Sequence, residues 1–154
     1  MTDVKKVLLV EDNARDELLT LRALQKTHKP YKTQVARDGA EALEYLFHSG
    51  KYDGIPDGTP NLILLDLKLP KIDGLEVLRQ IRSNAKTEFI PVVILTSSIE
   101  DNDVIESFRR RANSYVRKQV DFIHFAEVVK QMVHYWLDIN ENAPIRSAKS
   151  KEVE

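Results

Sequence analysis

Leu62-Ile63-Leu64-Leu65-Asp66-Leu67-Lys68-Leu69-Pro70, followed by Lys71-Ile72-Asp73-Gly74, decides the fold. Four consecutive apolar residues, with none of the polar alternation of a half-exposed strand, mark a strand buried on both faces. Such strands belong to parallel sheets covered by helices on each side. The run ends on a carboxylate, Asp66. Asp73 with Glu76 three residues later has the form of a capping box, and Leu75, Leu78 and Ile81 follow on one helical face.

The same unit recurs outward in both directions. Upstream, Val7-Leu8-Leu9-Val10 runs straight into Glu11 and Asp12; downstream, Val92-Val93-Ile94-Leu95 ends at Thr96. Weaker strands are expected over Thr33 to Ala36 and over Ser114-Tyr115-Val116, the latter just before Lys118. Helical stripes lie between them: Leu18, Leu21 and Leu24; then Ala42, Leu43, Leu46 and Phe47 behind a second capping box, Asp38 with Glu41. A fourth helix is expected from about Glu100 to Arg111. A fifth starts at Asp121, with Phe122, Phe125, Val129, Met132 and Trp136 on one face. Strand and helix alternate five times, which predicts an α/β fold with a doubly wound parallel sheet between two helical layers.

The remaining stretches bound the domain. Ser49 to Pro60 holds three glycines, two prolines and two aspartates and reads as a long surface loop. Asn140 to Glu154 is mostly polar and contains Pro144; residues 1–140 are expected to form one domain and 141–154 a disordered tail. The length of 154 residues suits a single core. A net charge of -1 argues against a general pull toward nucleic acid or membrane, and the absence of cysteine excludes disulfides and thiolate chemistry. There is no apolar run of the roughly 20 residues needed to span a bilayer, nor a signal-peptide pattern at the N-terminus. A cytoplasmic location is expected.

In a parallel sheet the carboxyl ends of the strands share one edge, where ligands bind. Glu11, Asp12, Asp66, Thr96 and Lys118 all stand at such ends. Taken singly, each has an ordinary explanation: an acid after a strand is commonly a helix N-cap, and a lone Thr or Lys at a strand end is commonly structural. Together they describe a site. Carboxylates at close range repel one another, and a hard divalent cation such as Mg²⁺ relieves the repulsion through oxygen ligands. An ionised Asp can attack phosphorus to give an aspartyl phosphate without a general base. Lys118 and Thr96 would neutralise and hydrogen-bond the phosphoryl oxygens. His28, His48, His124 and His134 show no ligand spacing.

These residues resemble, position by position, the receiver domains of two-component response regulators. Glu11-Asp12 stands for the acidic pair, Asp66 for the phosphoacceptor, Thr96 for the switch hydroxyl and Lys118 for the lysine. Val7-Leu8-Leu9-Val10-Glu11-Asp12-Asn13, Asp66-Leu67-Lys68-Leu69-Pro70-Lys71-Ile72-Asp73-Gly74 and Ile94-Leu95-Thr96-Ser97-Ser98 support the match, as does Tyr115 at the aromatic switch position. The resemblance covers roughly residues 5 to 138. It implies sheet order 2-1-3-4-5 and Mg²⁺ held by Glu11, Asp12, Asp66 and the Lys68 backbone carbonyl. It also implies phosphotransfer from a sensor histidine kinase to Asp66. The chain would then be a phosphoacceptor switch, not an enzyme beyond its own phosphotransfer and slow dephosphorylation.

The long loop and extended last helix resemble the small single-domain regulators paired with cyanobacterial phytochromes, which implies a phytochrome as partner kinase. Gln119 departs from the proline usual after the lysine, and Glu11 replaces the first Asp of the commoner pair. In the expected switch, Thr96 moves toward the phosphoryl group and Tyr115 fills the vacated space from an exposed rotamer. With no output domain expected, the signal would leave by protein contact. Ile123, Val128, Tyr135, Leu137 and Ile139 suggest a homodimer through strand five and helix five. Arg109-Arg110-Arg111 reads as a solvated helix end that matches the dipole, not a nucleic-acid site.

Other classes fit less well. A flavodoxin-like cofactor site would place its anion against Glu11 and Asp12; no phosphate-binding Gly-rich Lys motif exists; an aspartate-dependent phosphatase would want an acid at Lys68. A phosphate-independent receiver would usually lack one of the acids or the lysine.

Overall fold

The computed structural model describes residues 4–27, 29–55 and 59–144. Five strands alternate with five helices: β1 (Lys6–Val10), α1 (Ala14–Gln25), β2 (Lys32–Ala36), α2 (Gly39–Phe47), β3 (Leu62–Leu65), α3 (Gly74–Arg82), β4 (Val92–Thr96), α4 (Asp101–Arg109), β5 (Ser114–Arg117) and α5 (Phe122–Val133). A short 3-10 turn, Gly50–Tyr52, follows α2, and a π-helical extension, His134–Ile139, prolongs α5. All pairings are parallel and the sheet order is β2-β1-β3-β4-β5, the doubly wound order expected.

The unbroken apolar runs have a direct cause. Leu8, Val10, Ile63, Leu65, Val92 and Ile94 face one layer, where α2 and α3 supply Leu43, Leu46, Val77, Leu78 and Ile81. Val7, Leu9, Leu62, Leu64, Val93 and Leu95 face the other, against Ala23 and Leu24 of α1 and Phe125, Val129 and Met132 of α5. Burying each such side chain contributes roughly 1.5–3 kcal/mol, and successive strand residues bury into opposite layers.

The register positions the functional edge. Val10 pairs with Leu65 and with Ala36, and Leu65 with Ile94. The ladder then extends past the strands: Glu11 N–H donates to the Ala36 carbonyl at 2.9 Å, Asp66 N–H to Val10 at 3.1 Å and Lys118 N–H to Thr96 at 2.8 Å. The residue after each of β1, β3 and β5 is thus placed by sheet hydrogen bonds.

Both capping positions form as read. Asp38 accepts from Glu41 N–H at 2.7 Å and Asp73 from Glu76 N–H at 3.0 Å. The return half of each box differs: Glu41 accepts from Arg37 N–H, and Glu76 pairs with Arg79. Gly74 opens α3 where a Cβ would collide with the Asp66 carbonyl and Leu67 Cα, so glycine is required for the loop to fold back behind Asp66.

Several details depart from the sequence reading. Leu18 is exposed, and the buried face of α1 is Thr20, Ala23 and Leu24. Thr20 is accommodated because its hydroxyl donates to the Asp16 carbonyl at 2.8 Å. α4 ends at Arg109; Arg109 and Arg110 pair with Glu106, and Arg111 adopts a left-handed φ of 66°. Beneath it, Arg82 donates to the carbonyls of Arg111, Glu88 and Ile90 and to Asn113 Oδ1. In the last helix Leu137 is core, whereas Ile123, Tyr135 and Ile139 are exposed.

The Lys118–Gln119 bond is trans, like every peptide bond among the described residues. Of the expected tail, residues 141–144 are described, with Asn142 donating to the Asn61 carbonyl at 3.1 Å; 145–154, like His28 and residues 56–58 of the long loop, lie outside the described residues. No helix among the described residues is long and apolar enough to cross a membrane.

Candidate functional site

Glu11, Asp12, Asp66 and Lys118 meet at the carboxyl edge of β1, β3 and β5. Carboxylate oxygens of Glu11, Asp12 and Asp66 all lie within 4.8 Å of one another. Lys118 Nζ stands 2.7 Å from Glu11 Oε1 and 2.8 Å from Asp66 Oδ2, with its side chain only 11% exposed. Glu11 and Asp66 are buried, while Asp12 faces solvent. Thr96 is fully buried at the end of β4, and its Oγ1 accepts from Ser98 N–H at 3.3 Å.

Local folding explains each placement. The chain turns from β1 into α1 through Asn13, whose Oδ1 accepts from Asp16 N–H at 2.9 Å while its own N–H donates to Glu11 Oε2 at 3.2 Å. Both oxygens of Glu11 are therefore partnered, one by the cap and one by Lys118. After β3, Lys68 N–H reaches back toward Asp66 Oδ1 at 3.4 Å.

Sequence reading missed a third carboxylate on Lys118: Asp16 Oδ2 accepts from Nζ at 2.9 Å. Asp16 is the third residue of α1, a position where acids are common for dipole reasons, so its type carried no distinguishing signal. The electrostatics follow from this crowding. Burial pushes the Glu11 carboxyl up to about 7; the Lys118 hydrogen bond opposes that shift and nearby Asp66 adds to it. Burial works against the Lys118 charge, but the hydrogen bonds it donates to Asp66, Glu11 and Asp16 outweigh that and hold the ammonium above the ordinary lysine range. One cation faces more negative charge than it can balance. The donors are all oxygens, which suits a hard divalent cation.

Tyr115 was expected in an exposed rotamer. Instead it is half-buried against the α2/α3 layer, with its hydroxyl donating to the Ser98 carbonyl at 3.1 Å. That acceptor lets the phenol sit inward without an unpaired hydroxyl. Ser98 Oγ donates to Asp103 Oδ2 at 2.5 Å, and Lys68 Nζ lies 3.8 Å from the same oxygen, so α4 is tied to both loops beside the site. None of His48, His124 or His134 joins the acidic cluster.

The chain is similar to several known proteins. Response regulator Rcp1 of Synechocystis sp. (strain ATCC 27184 / PCC 6803 / Kazusa) is 39% identical over 134 residues, 87% of this chain and 90% of that protein. The probable methanogenesis regulatory protein FilR2 of Methanothrix harundinacea (strain 6Ac) is 38% identical over 136 residues, covering 88% and 86%. Among solved structures, the phosphorylated cyanobacterial phytochrome response regulator RcpA superposes with a TM-score of 0.86 at 38% identity, over 92% of this chain and all of the other. The Mn²⁺-bound form of Rcp1 gives 0.83 at 36%, over 91% and 99%. Residues 7–130 match the response regulator receiver domain, and the chain belongs to that family.

Proposed function

We propose that this receiver accepts a phosphoryl group on Asp66, with Mg²⁺ held by Glu11, Asp12, Asp66 and the Lys68 backbone carbonyl. The observation that carries the reading is the arrangement around Asp66. One of its oxygens contacts Lys118 at 2.8 Å, and its carboxylate shares a 4.8 Å cluster with Glu11 and Asp12. Receiver domains take phosphate from histidine kinases. Here an ionised Asp66 oxygen attacks phosphorus; the O–P bond forms, the P–N bond to the donor imidazole breaks, and the electron pair stays on nitrogen. Lys118 offers its charge to the incoming phosphoryl oxygens. The cation, when bound, neutralises charge that develops on those oxygens. Thr96 then serves as the hydroxyl that follows the phosphoryl group, and Tyr115 as the aromatic reporter of that movement.

The finer assignments rest on similarity and composition. A phytochrome as donor kinase is supported by the likeness to RcpA and Rcp1. A homodimer through β5 and α5 is supported by the exposure of Ile123, Tyr135 and Ile139, and sedimentation at micromolar concentration tests it. Residues 1–140 act as the receiver, in a cytoplasmic setting where the donor kinase domain is reached. The primary test is intact-protein mass spectrometry after incubation with acetyl phosphate. A single adduct that requires Mg²⁺ and vanishes in Asp66→Asn supports the reading. No adduct, with beryllofluoride also failing to bind, would turn the site into a phosphate-independent interaction module.

A further inference from the structure

We infer that Asp16 is a positioning residue for Lys118: it holds the ammonium at the pocket when Glu11 and Asp66 are engaged elsewhere. The inference rests on the phosphoacceptor reading above. An ammonium has three donors, and Lys118 meets three carboxylates, Glu11 at 2.7 Å, Asp66 at 2.8 Å and Asp16 at 2.9 Å. Two of these belong to the cluster suited to a cation, which among the described residues comprises Glu11, Asp12 and Asp66. Asp16 is outside it. Once Asp66 becomes an acyl phosphate its carboxylate charge is gone, and a cation at the cluster draws on Glu11. Of the three partners, Asp16 is the one neither joined to the phosphoryl group nor part of the cation cluster.

Asp16 is built to stay in place. Its N–H is bound to Asn13 Oδ1 at 2.9 Å and its carbonyl accepts from the buried Thr20 hydroxyl at 2.8 Å. Its location in the first turn of α1 favours a carboxylate. Leu19, Thr20, Gln119 and Phe125 line a small cleft around the pair, in which the Asp16 side chain is 31% exposed and Lys118 11%. Lys118 is equally fixed at its base, where its N–H donates to Thr96. The side chain can therefore exchange Asp66 Oδ2 for a phosphoryl oxygen while it remains on Asp16.

A double-mutant cycle separates this role from a merely structural one. Beryllofluoride affinity would be measured by titration calorimetry in saturating Mg²⁺ for the full chain, Asp16→Asn, Lys118→Ala and the double variant. Asp16→Asn keeps a polar residue in the first helical turn, and a thermal melt checks its fold. The expected result is a loss of about tenfold when Asp16→Asn is made in the parent, the size of one partly screened charge-assisted hydrogen bond. In the Lys118→Ala background the loss is less than about twofold. Equal losses in both backgrounds, or no loss in the parent while Lys118→Ala weakens binding, would overturn the role of Asp16 alone. A parent that fails to bind beryllofluoride, or a Lys118→Ala variant that binds as tightly as the parent, would overturn the phosphoacceptor reading along with it.

Discussion

Lys118 Nζ lies 2.8 Å from Asp66 Oδ2 and reaches it from the edge strand β5, across the end of β4. The same nitrogen contacts Glu11 at 2.7 Å, so one ammonium stands between two buried acids of neighbouring strands. Its removal leaves both carboxylates buried beside each other. Lys118→Ala should therefore lower stability in EDTA by about 2–4 kcal/mol, the range for breaking a buried pair reduced for partial exposure. Millimolar Mg²⁺ should recover much of that loss, because a cation at the cluster replaces the missing charge. Urea denaturation with EDTA or Mg²⁺ checks this, and a loss that Mg²⁺ leaves unchanged would contradict the electrostatic account.

The raised Glu11 carboxyl makes stability depend on pH. Its value in the fold is about 7, against 4.5 ordinarily. Between these values the folded state retains a proton that the unfolded chain has released, so the Glu11 contribution falls as pH rises from 4.5 to 7. The upper bound is on the order of 3 kcal/mol, from 1.36 kcal/mol per pKa unit. Other carboxylates titrate in the same window, so the readout is the difference between parent and Glu11→Gln in metal-free buffer. The parent should lose stability relative to the variant across that window, and a parallel pair of curves would remove the prediction.

The proposed switch can be tested apart from the proposed chemistry. Thr96 is buried, its hydroxyl accepts from Ser98 N–H, and the Ser98 carbonyl accepts from Tyr115. Thr96→Ala should still take up phosphate on Asp66, since the nucleophile and Lys118 are untouched. The amide shift changes that phosphorylation produces from residue 97 to residue 117 should shrink. Intact mass and a two-dimensional amide spectrum read the two halves separately. Loss of the mass adduct would mean that Thr96 acts in phosphotransfer itself.

Legibility in the sequence followed burial. β1, β3 and β4 stood out because both faces are covered, which demands unbroken apolar runs. β2 and β5 are edge strands, half-buried at most positions, and their signal was correspondingly weak. The α1 stripe was misplaced because a buried slot is occupied by Thr20, whose hydroxyl is satisfied within its own helix, while Leu18 is exposed. At the site, residues one step past a strand end could be read off directly, because parallel ladders bring those ends together. Asp16 and Asp103 could not, since each is an acid in a first helical turn, ordinary by type and distinguished only by what it meets in space.

Arg82 offers a test of stability away from the site. Its guanidinium, pulled down to about 10 by burial and by Arg111, donates to three carbonyls and to Asn113 Oδ1. It thereby ties α3 to the chain entering β4 and β5 at the opposite edge of the sheet. Arg82→Lys keeps the charge but loses the planar fork, and should cost about 2 kcal/mol while phosphate uptake is preserved. A chemical melt together with the acetyl phosphate assay checks both halves.

Gly74 links fold to function most directly. A Cβ there would strike the Asp66 carbonyl and Leu67 Cα, both backbone, so no side-chain rotation can relieve the contact. Gly74 N–H also donates to the Leu67 carbonyl at 2.9 Å, which leaves the start of α3 no room to withdraw without breaking that bond. Gly74→Ala should therefore cost about 1–3 kcal/mol, as overpacking does, and should displace Asp66 against Lys118 and the acidic cluster. Gly54 provides the contrast: its φ of 76° strains any side chain, but a Cβ there meets nothing within 4 Å. Gly54→Ala should cost about 1 kcal/mol through backbone conformation alone and leave Asp66 where it is. At matched fractions folded, phosphorylation by acetyl phosphate should slow severalfold in Gly74→Ala and stay unchanged in Gly54→Ala. Equal rates in the two variants would mean that the loop behind Asp66 yields without moving its carboxylate.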